Sequence, residues 1–195
     1  MKRIQRIYYS ICLHFMPDGY AVANYIKKHN LYGSIGENCF IQKRKLPLYS
    51  NLIHLHDNVN VASNVGFITH DIIHHMLNHK FGGGFIEKIG CIEVMNNVFI
   101  GAGTRILYNT KIGTNVIIGA DSLINKDIPD NSVYAGVPAR FICTFDEYVK
   151  KARAYTDDFQ NRYELSVVKG VDNDLAEKMY IEFVKEKNGK EIQRT

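Results

Sequence analysis

Val94, Ile100, Ile106, Ile112, Ile118 and Ile124 stand six residues apart, and every one is Ile or Val. Four positions after each comes a small, β-branched or aliphatic residue: Val98, Thr104, Thr110, Val116, Ser122 and Ile128. One position after three of them is a glycine, at Gly101, Gly113 and Gly119. A period of six fits neither the 3.6-residue turn of a helix nor the plain alternation of a flat strand. It fits a parallel β-helix, where each hexad makes one flat face and three hexads make a triangular turn. On this reading the aliphatic residue points into the prism and the small residue sits beside it. Glycine is expected to permit the backbone angles of the corner.

The register recurs upstream at Leu55, Val61 and Phe67, with Val59 and Val65 in the small inward position, and more weakly at Ile35 and Ile41. Between Phe67 and Val94 it breaks, because a spacing of 27 is not a multiple of six. A segment from Asp71 to about Cys91, with three histidines and Gly82, Gly83 and Gly84, must therefore be looped out. An insertion of that length in a repeat protein points to a functional role.

Periodicity changes at both ends. Residues 1–34 read as an N-terminal helical cap, broken at Pro17-Asp18-Gly19, and residues 35–143 as the β-helix with its inserted loop at about 71–91. Residues 144–195 read as a C-terminal helical extension. There Phe145, Tyr148, Val149 and Ala152 recur at helical spacing, as do Leu175, Ala176, Met179, Tyr180 and Phe183. Lys169-Gly170 and Asp172-Asn173 punctuate the two runs, and Lys187–Thr195 is expected to fray. In the first helix Ile4, Ile7, Tyr8, Ile11, Cys12 and Phe15 share one face, read as packing on the open end of the prism. The same face, with Lys2, Arg3 and Arg6 off it, also suits a peripheral membrane contact.

A net charge of +4 over 195 residues is too mild to argue for nucleic acid, although it suits a small anionic ligand. The four cysteines show neither paired nor zinc-type spacing and read as reduced thiols of a cytoplasmic protein. No stretch approaches the length of a transmembrane helix.

A β-helix alone names no function, so the chemistry must come from side chains that leave the prism. Phe67 points inward, so Ile68, Thr69 and His70 run toward a corner, and His70 stands where the insertion begins. A neutral imidazole there can act as a general base near pH 7. Asp71 adjoins it, but neighbours on an extended chain point apart, which leaves the group that orients His70 unassigned.

The stretch from Asp57 to His70 resembles the approach to the catalytic histidine in the hexapeptide-repeat acyltransferases. Those most resembled are the galactoside and maltose acetyltransferases and the sugar O-acetyltransferases of bacterial surface polysaccharides. Asn96–Ala102 is similar to that family's turn after its loop. Ile118–Ser122, Asn125–Pro129 and Ala135-Gly136-Val137-Pro138-Ala139-Arg140 resemble its closing segment.

The resemblance implies a mainly β, left-handed parallel β-helix assembled as a homotrimer, with acetyl-CoA lying between neighbouring prisms and no metal. It implies His70 as the base for a sugar or sugar-nucleotide acceptor, and main-chain contacts to pantetheine along Ala102 and Ala120. Lys126 and Arg140 are the cations expected to meet the CoA phosphates. Phe99 stands where the family often has tryptophan and would lie against the donor. Gln42, Asn64 and His75 are assigned toward the acceptor, Gln42 from within Gln42-Lys43-Arg44-Lys45.

The expected activity is O-acetylation of a sugar or surface-polysaccharide precursor. N-acetylation of an amino sugar or antibiotic is the alternative. Two other classes remain. His70, His74, His75 and His79, with His54 and His56 on another coil, raise a zinc-dependent carbonic anhydrase, which needs three ligands in tetrahedral reach. A non-catalytic scaffold is the other.

Overall fold

The computed structural model describes residues 3–42, 44–163 and 171–191. The chain divides into two compact units, Met1–Tyr148 and Val149–Thr195.

The first unit opens with helices α1 (Arg3–His14) and α2 (Gly19–Lys28), followed by β1 (Ser34–Ile35) and β2 (Phe40–Ile41). Then come β3 (Ile53–Leu55), β4 (Val59–Val61) and β5 (Gly66–Ile68), with helix α3 (Ile73–Phe81) in the excursion after them. The register resumes through β6 (Ile92–Val94), β7 (Val98–Ile100), β8 (Arg105–Leu107), β9 (Thr110–Ile112), β10 (Val116–Ile118), β11 (Leu123–Ile124) and β12 (Ser132–Ala135). Strand β13 (Arg140–Thr144) precedes α4 (Phe145–Tyr163), and α5 is Asn173–Glu191.

From β3 to β11 the strands fall in rotation into three sheets, ordered β1-β3-β6-β9, β13-β12-β10-β7-β4-β2 and β11-β8-β5. The pairings are parallel except for β12 with β13. Each round of three strands is one coil, and equivalent residues stack. Leu55 lies beside Val94 and Val94 beside Ile112. Val61, Ile100 and Ile118 form a second column, and Phe67, Ile106 and Ile124 a third.

All six residues of the hexad row are fully buried. Their small companions Val98, Thr104, Thr110, Val116, Ser122 and Ile128 are buried too. Thr104 and Ser122 are tolerated in this apolar interior because both hydroxyls donate to the Gly119 carbonyl, at 3.1 and 2.7 Å. The expected run of coils to residue 143 ends sooner, because β13 turns back antiparallel on β12.

The corners correct the expected role of glycine. Gly101, Gly113 and Gly119 do not have positive φ, whereas Asn58, Asn97, Asn115 and Asn131 hold left-handed positions at one row of corners, with φ of 55° to 58°. Asparagine tolerates this conformation better than other non-glycine residues. Its amide also links the coils: Asn58 donates to Asn97 at 2.9 Å, Asn97 to Asn115 at 3.0 Å and Asn115 to Asn131 at 2.9 Å. Glycine serves a different need, close approach. A Cβ on Gly101 would lie 2.5 Å from the Ala120 nitrogen.

The N-terminal helix also differs from expectation. The row Ile4, Ile7, Tyr8, Ile11 and Phe15 faces outward, Ile4 at 82% and Phe15 at 79% exposure. The stack is covered instead by α2, through Val22, Ala23 and Ile26, and α1 packs with Tyr9, Leu13 and Met16. The Arg44 guanidinium holds the end of α1 by donating to the Leu13 and Met16 carbonyls at 3.0 and 2.6 Å. With both faces of α1 rich in apolar residues, periodicity could not tell which one is buried. No helix among the described residues is long and apolar enough to cross a membrane.

In the second unit, the Tyr163 hydroxyl donates to Glu182, and Arg162 pairs with Glu186 at 3.7 Å. Helix α5 starts where the Asp172 carboxylate accepts from the Leu175 nitrogen at 2.9 Å. It continues through Glu191, past the point at which fraying was expected. Lys169-Gly170 lies outside the described residues.

Two substitutions test this construction. Ile112→Asp places a carboxylate in the sealed interior and should cost roughly 4 kcal/mol or prevent folding. Asn97→Ala should cost about 1–2 kcal/mol from the left-handed backbone and the broken ladder, and Asn97→Gly should recover the backbone part. Urea midpoints measure all three. Equal midpoints for the Ala and Gly variants would remove the conformational argument.

Candidate active site

The excursion after β5 is the longest interruption of the stack among the described residues. Leu55 and Val94 pair although 39 positions apart, whereas Val94 and Ile112 pair 18 apart, so 21 residues are added. They form more than a loop. Helix α3 ends at Gly82, whose left-handed φ of 80° forms the C-cap. The Asn78 side chain then closes the triple-glycine turn, donating to the Phe85 carbonyl at 2.7 Å and accepting from the Phe85 nitrogen at 2.8 Å. At its base the excursion is clamped. The Asp71 nitrogen donates to the Lys88 carbonyl and the Gly90 nitrogen to the Thr69 carbonyl, each at 3.0 Å, around a His70–Ile89 bridge.

His70 sits in this clamp with its side chain 24% exposed. Nδ1 is buried and has no hydrogen-bond partner among the described residues, and Nε2 is the nitrogen that faces Glu87. Glu87, on the returning segment, places Oε1 4.0 Å from Nε2. The Tyr49 hydroxyl donates to Glu87 Oε2 at 2.7 Å, and its ring meets the imidazole edge-on with centroids 5.2 Å apart. That bond to Glu87 raises the Tyr49 phenol above its ordinary value. Glu87 had no sequence signal, because it reaches His70 only through the antiparallel register of the clamp.

Asp71 points away from His70, as adjacent residues on an extended chain do. Its carboxylate accepts from the Tyr108 hydroxyl at 2.8 Å and the Ile73 nitrogen at 3.1 Å. The Tyr108 bond leads in holding the Asp71 carboxyl below its usual value. Asp71 therefore ties the excursion to the next coil.

The other candidate residues fall into separate groups. Gln42 and Asn64 share a cleft of about 620 Å³ at the corner between the second and third sheets. Gly103 and Asp121, the chain neighbours of Ala102 and Ala120, line the same cleft. Ala102 and Ala120 stack one coil apart, with the Asp121 nitrogen donating to the Ala102 carbonyl at 2.8 Å. Phe99 projects outward on β7, 46% exposed, beside Asn60 and Ile117. Lys126 and Arg140 line one hollow of about 370 Å³ near the last coil.

His75 is exposed on α3, its ring 4.2 Å from that of His74. His70 and His75 thus lie at the excursion, and Gln42 and Asn64 at the far end of a third-sheet strand. Six extended residues, on the order of 20 Å, separate Asn64 from His70.

His54 and His56 are engaged elsewhere. His54 Nδ1 is 3.0 Å from the Ser34 hydroxyl and His56 Nε2 is 3.1 Å from Glu93. His56, and then Lys111, hold the Glu93 carboxyl below its ordinary value. Among the described residues no three His, Cys, Asp or Glu side chains converge as a metal group. All four cysteines are free thiols.

Residues 92–126, within the stacked three-strand coils, match the family model described as "Bacterial transferase hexapeptide (six repeats)". The match takes in the hexad row from β6 to β11. The chain is similar to the galactoside O-acetyltransferase of Lactococcus lactis, 35% identical over 132 residues, covering 55% of this chain and 61% of that one. The galactoside O-acetyltransferase of Escherichia coli is 33% identical over 133 residues, covering 57% and 64%. The matches thus span less than two thirds of these relatives. A solved galactoside acetyltransferase in complex with coenzyme A superposes with a TM-score of 0.57 at 27% identity, covering 76% of this chain and 82% of that one.

The clamp yields a pH-dependent prediction. A carboxyl whose folded value is depressed contributes stability above its unfolded value, near 3.8, and loses it as pH falls through the lower folded value. Tyr108→Phe should raise the Asp71 value toward 3.8 and speed amide exchange at Ile73. A carboxyl-detected NMR titration measures the first, and an unchanged Asp71 curve would sink the assignment.

Proposed function

We propose that this chain is an acetyl-CoA-dependent O-acetyltransferase acting on a sugar, with His70 as general base. The observation that carries the reading is the clamped His70, its Nε2 facing Glu87, at the mouth of the long excursion in a hexapeptide-repeat stack. The similarity to galactoside O-acetyltransferases favours a hydroxyl acceptor over an amine.

In this mechanism His70 Nε2 takes the proton of an acceptor hydroxyl as its oxygen attacks the thioester carbonyl carbon. The carbon–sulfur bond breaks, and the imidazolium returns the proton to the departing thiolate, giving an O-acetyl sugar and CoA. Glu87 stabilises the transient imidazolium, with Tyr49 holding its other oxygen. Ala102 and Ala120 offer a narrow surface for the pantetheine arm, Phe99 an exposed ring beside it, and Lys126 and Arg140 cations for the CoA phosphates.

The working form is a trimer of left-handed β-helices. His70 and the Ala102–Ala120 column occupy different corners of one chain, so a neighbouring copy is needed to bring them face to face. Ile72, Ile73, Met76, Phe81 and Ile86 of the excursion are exposed in the single chain, which also suits burial against a neighbour.

His70→Ala should keep CoA binding and lose acetyl transfer by roughly two to four orders of magnitude. Glu87→Gln should lower kcat by about tenfold with little change in KM for acetyl-CoA. Thiol release measures both, and a His70→Ala enzyme within threefold of wild type would reject the base. Light scattering should give a trimer; a monomer at micromolar concentration with CoA present would reject the shared site.

A further inference from the structure

The cleft that holds Gln42 and Asn64 has a composition unusual for a neutral sugar. Arg44, Lys45 and Arg105 line it against one carboxylate, Asp121, and no aromatic ring contributes. Both guanidinium groups are fixed by main-chain carbonyls. Arg44 Nη1 donates to Leu13 and Met16, and Arg105 Nη1 to Asn64 at 2.8 Å and Gly103 at 2.5 Å. Carbonyl bonds orient a guanidinium without neutralising it. Among the described residues none of the three cations forms an ion pair.

Ammonium and guanidinium groups donate hydrogen bonds and accept none. A neutral sugar offers hydroxyls, which also need acceptors, and apolar ring faces, which favour aromatic stacking. This lining supplies mainly donors and positive charge, which match a group that only accepts. The cleft also adjoins the column proposed for the donor arm, since Gly103 and Asp121 follow Ala102 and Ala120 directly.

We propose that the acceptor is a phosphate-bearing sugar, a sugar phosphate or a nucleotide-linked sugar, its phosphate held by Arg44, Lys45 and Arg105. Gln42 and Asn64 lie at the same cleft for the sugar hydroxyls, with Gln42 Oε1 held by the Ser63 nitrogen at 3.1 Å. This rests on the acetyltransferase reading for the word acceptor, while the anion site itself stands on the cleft.

Titration calorimetry of the full chain with galactose, galactose 1-phosphate and UDP-galactose, each with and without saturating CoA, tests it. Galactose 1-phosphate should bind at least about tenfold more tightly than galactose, the scale of a charge-assisted contact. UDP-galactose binding tighter still would assign the nucleotide-linked form. Lys45→Gln should shrink the preference for phosphate several-fold and Lys45→Arg should retain it, because both wild-type Lys and Arg present a cation there. Equal affinity for galactose and galactose 1-phosphate overturns the proposal. So does loss of galactose 1-phosphate binding when CoA is present, which would assign the cations to the donor. Binding with the expected preference but no acetyl transfer would support the anion site and reject the acetyltransferase reading instead.

Discussion

Coils stacked at the spacing of parallel strands, about 4.8 Å, place every side chain directly against its equivalent one turn away. Nearly everything else in the first unit follows from that restraint. Inside, the column Leu55, Val94 and Ile112 must keep similar size, because a larger residue in one coil would press on the next. At the corners the same spacing brings main chain against main chain, and Gly101 is needed because Ala120 lies over it. The left-handed asparagines turn the restraint into a bond, each amide finding the one above it. Order in such a stack passes from neighbour to neighbour rather than through a central core.

Flat faces of this kind enclose no large cavity, so the chemistry of the molecule gathers where the repetition fails. It fails at the excursion, where the clamp assembles His70, Glu87 and Tyr49 from three distant parts of the chain. It fails again at the corner beside Asn64. There Arg105 departs from the small residues around it and bridges the Gly103 carbonyl of its own coil to the Asn64 carbonyl of the neighbouring one. The proposed base and the proposed acceptor cations thus both sit on departures from the hexad rule, and the rule supplies their rigid mounting.

The hexad row was legible because burial of one aliphatic residue in six is a property of each residue separately. The same holds for the excursion's length, which a break in spacing reports directly. What could not be read were pairings. Glu87 meets His70 through an antiparallel register internal to the excursion, and nothing in a run of residues shows where such a strand returns. The corner asparagines sit in the sequence at Asn58, Asn97, Asn115 and Asn131, yet the visible glycines drew the explanation of the turns. Glycine marks both left-handed backbone and close packing, and only geometry separates the two. The buried face of α1 is hidden in the sequence for a related reason. Leu13 and the Ile4–Phe15 row are both apolar, and which one is buried depends on tertiary contacts, with Arg44 fastening the helix end.

The closed base of the excursion has a consequence for how this scaffold can change over generations. The chain leaves the stack at Thr69 and re-enters at Gly90, and the bonds across that gap bring the two ends back together. Residues added or removed beyond the clamp therefore impose no shift on the coils below or above, and their closure entropy grows only slowly with length. At this point the stack behaves as a chassis with a socket, into which segments of different length and chemistry can be exchanged while the hexads keep their registration.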